Sequence, residues 1–219
     1  MPYYPIFLNL EGRRCIVVGG GEEAASKVRG LLESGARVVV TSGFLEPGLA
    51  QLAQRNEVEW VPRAYEPGDL EGAALVIVAC SEPEVKRRVA AEARALGVLV
   101  NAVDLPACCD FISPALVRRG GLVLAVSTGG RSPALARLLR ERLEKEYDAA
   151  YGPYVEILGR ARRQVLERVP NVEARRAVLH AMARDEAVLD LCRQDSRAEA
   201  EERLMRLLDD AVTAGGGRP

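Results

Sequence analysis

The glycine-rich run VVGGGEEA at residues 17–24 restricts the folds available to this chain more than any other stretch. It follows an apolar run at residues 15–18 that is typical of a buried strand. It precedes a helical pattern over residues 22–34, whose apolar side chains share one face and which Gly35 ends. Gly19 permits a tight turn between the two. A strand, a glycine turn and a helix in this order predict a βαβ unit.

Short apolar runs continue to alternate with helical patterns up to about residue 113. Further strands are predicted at residues 37–41, 58–61, 74–79 and 98–102, and further helices at residues 47–55 and 83–96, the last ended by Gly97. Strands that are apolar throughout and separated by helices suit a parallel sheet with both faces covered. We therefore predict a Rossmann-like, doubly wound α/β domain over residues 1–113.

The pattern changes after this domain. Residues 111–117 and 122–127 predict two strands joined by a turn at residues 118–121. A serine followed by proline at residues 132–133 predicts the start of a helix. Together these features predict a small α+β segment over residues 114–150.

Only helical patterns remain from residue 147 onward. Breaks are expected at Pro153 and Pro170, because proline lacks the backbone N–H that a helix interior needs. A glycine tail at residues 215–217 is expected to be flexible. The sequence thus predicts a helical C-terminal domain over residues 151–219.

Composition excludes several functional classes. The chain is 48% hydrophobic and 28% charged, which is typical of a globular protein. Its 30 basic and 31 acidic side chains give a net charge of −1, so no general attraction to nucleic acid or anionic lipid is expected. No uncharged apolar run approaches the ~18 residues of a membrane span, and the first ten residues do not resemble a secretory signal. We expect a cytoplasmic protein.

Cysteine and histidine content bears on metal chemistry. None of the five cysteines forms a C-x-x-C pair, and Cys15 and Cys80 lie in apolar runs typical of a core. The neighbours Cys108 and Cys109 suggest either a soft-metal site or two partly buried reduced thiols, and we favour the thiols. A single histidine, His180, is too few for a site that needs several imidazoles. No metal site is predicted.

The glycine run also matches the G-x-G-x-x-A form of the dinucleotide-binding fingerprint, through Gly19, Gly21 and Ala24. Gly21 would let a pyrophosphate approach the backbone, where N–H groups at the helix start bind it; a tight turn without ligand is the alternative. The acid that usually follows the second strand is replaced by TSGF at residues 41–44, whose hydroxyls or backbone groups would take its role. Because no arginine lies there to receive a 2′-phosphate, NAD is preferred to NADP.

Two further polar motifs follow predicted strands. Asp104, in NAVDLP at residues 101–106, should lie at the ligand-binding edge of the sheet, partly desolvated, where a carboxylate can act as a general base. A turn-capping role ahead of Pro106 is the alternative. The run STGGRSP at residues 127–133 joins a strand to a helix start and includes Arg131. It is either a carboxylate or phosphate site or an ordinary tight connection.

Residues 114–150 are locally basic, with seven basic and four acidic side chains. Six of the basic residues are arginines: Arg118, Arg119, Arg131, Arg137, Arg140 and Arg142. Arginine binds carboxylates through two parallel hydrogen bonds, so this segment suits an acidic substrate. A solvated helix face is the alternative for each of these residues.

These separated motifs together resemble the precorrin-2 dehydrogenase / sirohydrochlorin ferrochelatase family, the N-terminal module of siroheme synthase. The similarity covers about residues 3–150 and is based on PIF at 5–7, VVGGG at 17–21, NAVD at 101–104, FISPA at 111–115 and AVSTGGRSP at 125–133. The resemblance implies oxidation of precorrin-2, an acidic tetrapyrrole, to sirohydrochlorin with NAD as hydride acceptor. It implies that Asp104 moves protons, and that the protein is a homodimer paired through residues 114–147.

Many members of the family also insert ferrous iron, and the resemblance leaves open whether iron is a co-substrate here. Two other functions also stay open: a chelatase whose dinucleotide site is a relic, and a regulatory subunit that binds NAD without turnover. The position of Thr128 is often serine in the family, so regulation through that hydroxyl is not expected. The implied iron chemistry adds no resident metal site.

The expected site residues lie at the ends of strands and in the glycine turns. Cofactor binding is expected from Gly19, Gly20, Gly21, Glu22, Glu23, Ser42, Gly43, Phe44, Cys80, Ser81 and Asn101. Substrate binding is expected from Ser127, Thr128, Gly129, Arg131 and Ser132. Asp104 is the expected catalytic residue.

Overall fold

The computed structural model describes residues 3–215, which form two compact units divided between Ser113 and Pro114. The first unit contains β1 (Arg14–Val18), α1 (Glu22–Leu32), β2 (Arg37–Thr41), α2 (Pro47–Gln54), β3 (Glu59–Val61), β4 (Leu75–Val78), α3 (Pro83–Leu96) and β5 (Leu99–Ala102). A short 3₁₀ turn, Pro106–Cys108, follows β5. The order of strands and helices agrees with the sequence prediction.

The strands of the first unit form one parallel sheet in the order β3-β2-β1-β4-β5. Successive side chains of a strand point to opposite faces. In β1, Cys15 and Val17 therefore pack with α1 and α2, whereas Ile16 and Val18 pack with α3. Helices cover both faces, which confirms the predicted doubly wound fold. The strand order reverses between β1 and β4, and open α/β sheets bind ligands outside the carboxyl ends of strands at such a point.

Glycines follow two of the helices, as predicted. Gly97 ends α3 in the left-handed conformation with φ +69°, which costs glycine little because it lacks a Cβ. Gly35 follows α1 with φ +73°. The helix α1 ends at Leu32 rather than at the predicted Ser34, because the Gly35 N–H donates to the Leu32 carbonyl and closes a tighter turn.

The second unit begins with an antiparallel hairpin of β6 (Ala115–Arg119) and β7 (Leu122–Val126). The predicted first strand, residues 111–117, started too early, since the Asn101 amide holds the Phe111 carbonyl at 2.8 Å in the first unit. The predicted turn at residues 118–121 was too long, because both arginines at its start belong to β6. Gly120, with φ +55°, makes the reversal.

Helices form the rest of the second unit: α4 (Pro133–Glu146), α5 (Tyr151–Arg168), α6 (Val172–Ala183), α7 (Glu186–Arg193) and α8 (Arg197–Gly215). Ser132 caps α4 as predicted, its Oγ accepting from the Leu135 N–H at 3.3 Å. The break at Pro170 is confirmed. The break expected at Pro153 was wrong, because this proline lies in the first turn of α5, where its missing N–H needs no partner.

One apolar core joins α5 to α8. Its fully buried side chains include Ile157, Val165, Met182, Leu204 and Leu208. The hairpin approaches the start of α5 closely, since a Cβ added at Gly120 would lie 3.3 Å from the Gly152 Cα. Residues 114–150 and the helices after them thus share one compact unit. From residue 216 onward the expected glycine tail lies outside the described residues.

A paired carboxylate fixes the loop between β3 and β4. Asp69 accepts two hydrogen bonds from the Arg63 guanidinium, at 2.7 and 2.9 Å, and one from the Glu66 N–H at 2.9 Å. The hydrogen bonds from Arg63 lower the pKa of Asp69 from its usual value of 3.8. The ionised carboxylate is therefore the form that stabilises the loop.

We expect Asp69→Asn to lower the free energy of unfolding at pH 7 by about 1.5–3 kcal/mol, the range for hydrogen bonds to charged groups. A carboxyl with a depressed pKa stabilises the folded state above its unfolded pKa and loses that effect as the pH falls through the folded pKa. Urea unfolding at neutral and strongly acidic pH should therefore show the difference between variant and wild type shrinking on acidification. Glu66→Gln is the control, because its exposed carboxylate lies 3.6 Å from the same arginine and should contribute little.

Candidate functional site

The glycine turn connects β1 to α1 at the point where the strand order reverses. Gly19 has φ +128°, and a Cβ there would lie 2.6 Å from the carbonyl oxygen of Ala79, just after β4. Its N–H donates to the Thr41 carbonyl at 3.0 Å. Gly19 is therefore required both by its backbone conformation and by the close approach of the neighbouring strand end.

Gly20 touches the loop after β2. A Cβ at this position would lie 1.8 Å from the Phe44 carbonyl oxygen and 2.6 Å from Ser42 Oγ. The Glu46 N–H donates to the Gly20 carbonyl at 2.7 Å. The fingerprint treats this middle position as variable, so sequence reasoning missed that backbone contact makes glycine necessary here.

Gly21 faces open space instead. It is the N-cap of α1, it has no side chain to cap the helix, and nothing lies within 4 Å of the position its Cβ would take. The first N–H groups of a helix lack intrahelical partners and attract anions. Glu22 and Glu23 are exposed, and Glu23 pairs with Lys27 at 2.8 Å, so it is the backbone of this turn that fits a pyrophosphate.

The loop after β2 is held in place from two sides. Ser42 is buried, its carbonyl accepts from Trp60 Nε1 at 2.9 Å, and its Oγ accepts from the Phe44 N–H at 3.4 Å. Gly43 and the Phe44 side chain are exposed. The nearby carboxylate of Glu46 caps α2, so it does not replace the acid of a conventional ribose site. Backbone groups and the Ser42 hydroxyl are what this loop offers a ribose.

Residues after β4 and β5 complete the expected cofactor set. Cys80 is half-buried, and burial raises the pKa of its thiol. Ser81 is exposed and its Oγ donates to Glu82 Oε1 at 2.8 Å. Asn101 is buried with its amide nitrogen bound to the Phe111 carbonyl, so it positions the chain segment beyond β5.

Asp104 lies just beyond β5 in a turn with φ +61°, an uncommon conformation for a residue other than glycine. Its side chain is exposed, whereas the sequence argument expected a partly desolvated carboxylate. The turn is closed by the Leu105 N–H, which donates to the Ala102 carbonyl at 3.1 Å. Sequence reasoning missed the buried Lys86, whose Nζ donates to the Val103 carbonyl beside it at 2.5 Å.

The loop at residues 127–132 of the second unit is organised by its own hydroxyls. Thr128 Oγ1 accepts from the Ser132 N–H at 3.0 Å and donates to the Ser132 carbonyl at 3.1 Å. Ser127 Oγ accepts from the Gly129 N–H at 3.1 Å. Arg131 is exposed and forms no ion pair with any residue between 3 and 215. The loop thus presents one guanidinium, that of Arg131, without an ion pair among residues 3–215.

Structural partners are seen for Arg119, Arg137 and Arg140 among the six arginines. The Arg119 guanidinium donates to the carbonyls of Glu144 and Tyr147 at the end of α4, at 3.1 and 2.9 Å. Arg140 pairs with Glu144 at 2.5 Å, and Arg137 with Glu141 at 3.0 Å. These three arginines therefore have a structural or solvated role. Fewer arginines are available to bind a ligand than the sequence count suggests.

The described cysteines are all free thiols. Cys108 is buried, and the Cys109 thiol lies 3.2 Å from both the N and the O of Ala102. Within residues 3–215 no group of three or more His, Cys, Asp or Glu side chains is placed to hold a metal ion. No helix in that range is long and apolar enough to cross a lipid bilayer.

The parallel sheet, the glycine turn at its reversal point and the open backbone at Gly21 define a dinucleotide-binding protein of the α/β class. The chain belongs to the putative NAD(P)-binding family, whose model matches residues 6–115, half of its length. Two further models match in succession: the sirohaem biosynthesis protein central region at residues 119–146, and the sirohaem synthase dimerisation region at residues 150–208. The expected nicotinamide dinucleotide class of cofactor is thereby confirmed.

Individual relatives agree with this assignment. The siroheme synthase of Chromobacterium violaceum is 43% identical over 208 residues, covering 93% of this chain and 44% of that protein. The siroheme synthase of Pseudomonas putida strain F1 is 41% identical over 217 residues, covering 99% and 47%. The chain thus spans less than half the length of these curated relatives. The resemblance inferred from the motifs is confirmed.

A solved structure described as "SirC, precorrin-2 dehydrogenase" is similar along its whole length. It has a TM-score of 0.72 and 25% sequence identity, and the match covers 92% of this chain and 100% of that one. The region that the family models name for dimerisation, residues 150–208, lies beyond residues 114–147, to which the resemblance assigned the pairing of two copies. Which segment pairs two copies stays a prediction.

Proposed function

We propose that this protein oxidises precorrin-2 to sirohydrochlorin, with NAD as the hydride acceptor. The observation that carries the proposal is the open backbone at Gly21, in the same unit as a carboxylate, Asp104, that follows the last strand of the sheet. Tetrapyrrole chemistry at Gly21 and Asp104 is suggested by the motifs that contain them. It is supported by relatives named siroheme synthase and by a similar structure named precorrin-2 dehydrogenase.

The reaction removes two hydrogens from the substrate, one as a hydride and one as a proton. When bound, NAD supplies the hydride acceptor. The backbone N–H groups at the start of α1 would hold its pyrophosphate, and the loop at Ser42–Phe44 its adenosine ribose. Asp104 would take the proton, for which a carboxylate at the ligand-binding edge of the sheet is suited. NAD rather than NADP is favoured because no arginine lies at residues 41–44.

An anaerobic assay tests the proposal directly. Precorrin-2 and NAD are mixed with the protein, and NADH absorbance and the sirohydrochlorin spectrum are followed together. Equal amounts of NADH and sirohydrochlorin support the oxidation. Binding of NAD without turnover would favour the regulatory function instead.

Insertion of ferrous iron is a second activity worth testing, because the curated relatives are named siroheme synthases. It would exchange two pyrrole protons for Fe²⁺, and Asp104 would receive protons in that step as well. Supplying sirohydrochlorin and ferrous iron without NAD isolates it. A protein that forms siroheme in this assay but does not reduce NAD in the precorrin-2 assay would be a chelatase with a relic dinucleotide site.

The proposal includes a homodimer and a cytoplasmic location. Self-association is supported by the match of residues 150–208 to a dimerisation region. The reaction needs a supply of oxidised NAD, which the cytoplasm provides. Sedimentation of the protein at several concentrations would measure the association.

We expect Arg131→Ala to raise the KM for precorrin-2 about tenfold, the effect of losing a charged hydrogen bond to a carboxylate. The kcat should change little, because the interaction is made equally in ground and transition states. Arg137→Ala is the matched control, since that arginine is already paired with Glu141. Steady-state kinetics of both variants decide, and equal KM values for the two would contradict a role for Arg131 in binding.

A further inference from the structure

Lys86, in α3, is buried at 7% exposure and is the one charged side chain among the buried residues between 3 and 215. Its Nζ donates to the Val103 carbonyl at 2.5 Å, and no carboxylate of that range lies within ion-pair distance. A buried ammonium normally needs a counter-ion. A buried lysine whose partner is a backbone carbonyl therefore needs a structural reason.

The reason lies in the turn that this carbonyl belongs to. Residues 102–105 form a hydrogen-bonded β-turn, with the Leu105 N–H on the Ala102 carbonyl, and Asp104 occupies its third position at φ +61°. A positive φ at the third position marks a type II turn, which usually takes glycine or asparagine there. Aspartate tolerates this conformation better than most residues but has no Cβ-free advantage there as glycine has, so contacts with the surroundings are expected to help hold it.

Type I and type II turns differ in the orientation of their central peptide, here the one between Val103 and Asp104. Lys86 binds the carbonyl oxygen of that peptide, and the Val103 N–H donates to the Val78 carbonyl at 3.0 Å on its other side. Both ends of Val103 are thus fixed. The ammonium stabilises the orientation that forces Asp104 to positive φ.

We propose that Lys86 is a positioning residue for Asp104: it holds the central peptide of the 102–105 turn in the type II orientation and so fixes where the Asp104 carboxylate is presented. The catalytic part of this inference depends on the proposed oxidation of precorrin-2, whereas the conformational part does not. Without the ammonium the peptide turns over, Asp104 adopts a negative φ, and its carboxylate leaves the position from which it takes the proton.

The test compares Lys86→Met, which keeps the length of the side chain and loses the donor, with Lys86→Gln, which keeps a neutral donor. Crystal structures of both variants report the φ of Asp104, and anaerobic kinetics report kcat and the KM for NAD. We expect Lys86→Met to shift φ to about −90°, the type I value, and to lower kcat at least about tenfold with the KM for NAD unchanged. Lys86→Gln should recover part of both.

Val89→Ala controls for damage to α3, because Val89 is fully buried on the same helix and lies outside the turn. It should destabilise the protein while kcat is retained. Lys86→Met with φ still near +61°, or with wild-type kcat, would overturn the inference, as would an equal loss of kcat in Val89→Ala. If wild-type protein shows no oxidation of precorrin-2, the proposed function fails, and the φ of Asp104 alone then decides whether Lys86 holds the turn.

Discussion

Replacing Asp104 by asparagine should lower the rate of NADH formation from precorrin-2 by a factor of about 100 or more, the usual contribution of a general acid or base. Asparagine tolerates the left-handed backbone of this position, at φ +61°, about as well as aspartate. The turn should therefore keep its shape while the proton acceptor is lost. Anaerobic kinetics and NAD titration of the same preparation measure the two effects separately.

Asp195→Asn is the matched control, because Asp195 is also an exposed aspartate with positive φ, at +57°, and it lies between α7 and α8. We expect that variant to oxidise precorrin-2 at the wild-type rate. NAD affinity should be unchanged in both variants. Wild-type turnover by Asp104→Asn would remove the carboxylate from the mechanism and leave its capping role.

Alanine at position 20 should lower stability, whereas alanine at the adjacent position 21 should lower NAD affinity. In Gly20→Ala the new methyl meets the Phe44 carbonyl oxygen at 1.8 Å, so backbone has to move. We expect the free energy of unfolding to fall by about 3 kcal/mol or more, as for severe overpacking. Urea unfolding measures this loss.

In Gly21→Ala the methyl meets nothing within 4 Å, and φ of −88° suits any residue. Stability should stay within about 0.5 kcal/mol of wild type, as for other surface changes. Because the methyl would occupy the space through which we propose that the pyrophosphate reaches the helix N-terminus, we expect the Kd for NAD to rise at least about tenfold. Calorimetric titration measures it, and wild-type NAD affinity in Gly21→Ala would show that the pyrophosphate binds elsewhere.

The sequence predicted the first unit well because its information there is local. Apolar runs, periodic helix faces and glycine stops each specify one element, and β2 and α3 were predicted at their observed bounds. The predicted bounds were wrong where a residue distant in sequence determines where a strand begins or ends. The strand β6 begins at Ala115 since Asn101 holds Phe111, and it runs through Arg119, whose guanidinium binds carbonyls at the end of α4.

The candidate site was predictable in outline but not in its supports. Strand ends located Gly19 and Asp104 because the topology of a parallel sheet brings those ends to one edge. The need for glycine at position 20 comes from a loop that lies 24 residues further along the chain at Phe44, and no spacing rule contains it. Lys86 looks like one more charge on an amphipathic helix until its burial is known.

The interlocking of the glycine turn with the loop after β2 has a consequence for how nucleotide preference can evolve. Gly20 lies against the Phe44 carbonyl and Ser42 Oγ, and Ser42 Oγ in turn accepts from the Phe44 N–H, so a larger side chain at position 20 or loss of the Ser42 hydroxyl would disturb this contact. Gly43, between them, is exposed and has nothing within 4 Å of its missing Cβ. Substitutions at this one position can thus place basic or acidic side chains beside the proposed ribose site without disturbing the contacts of Gly20.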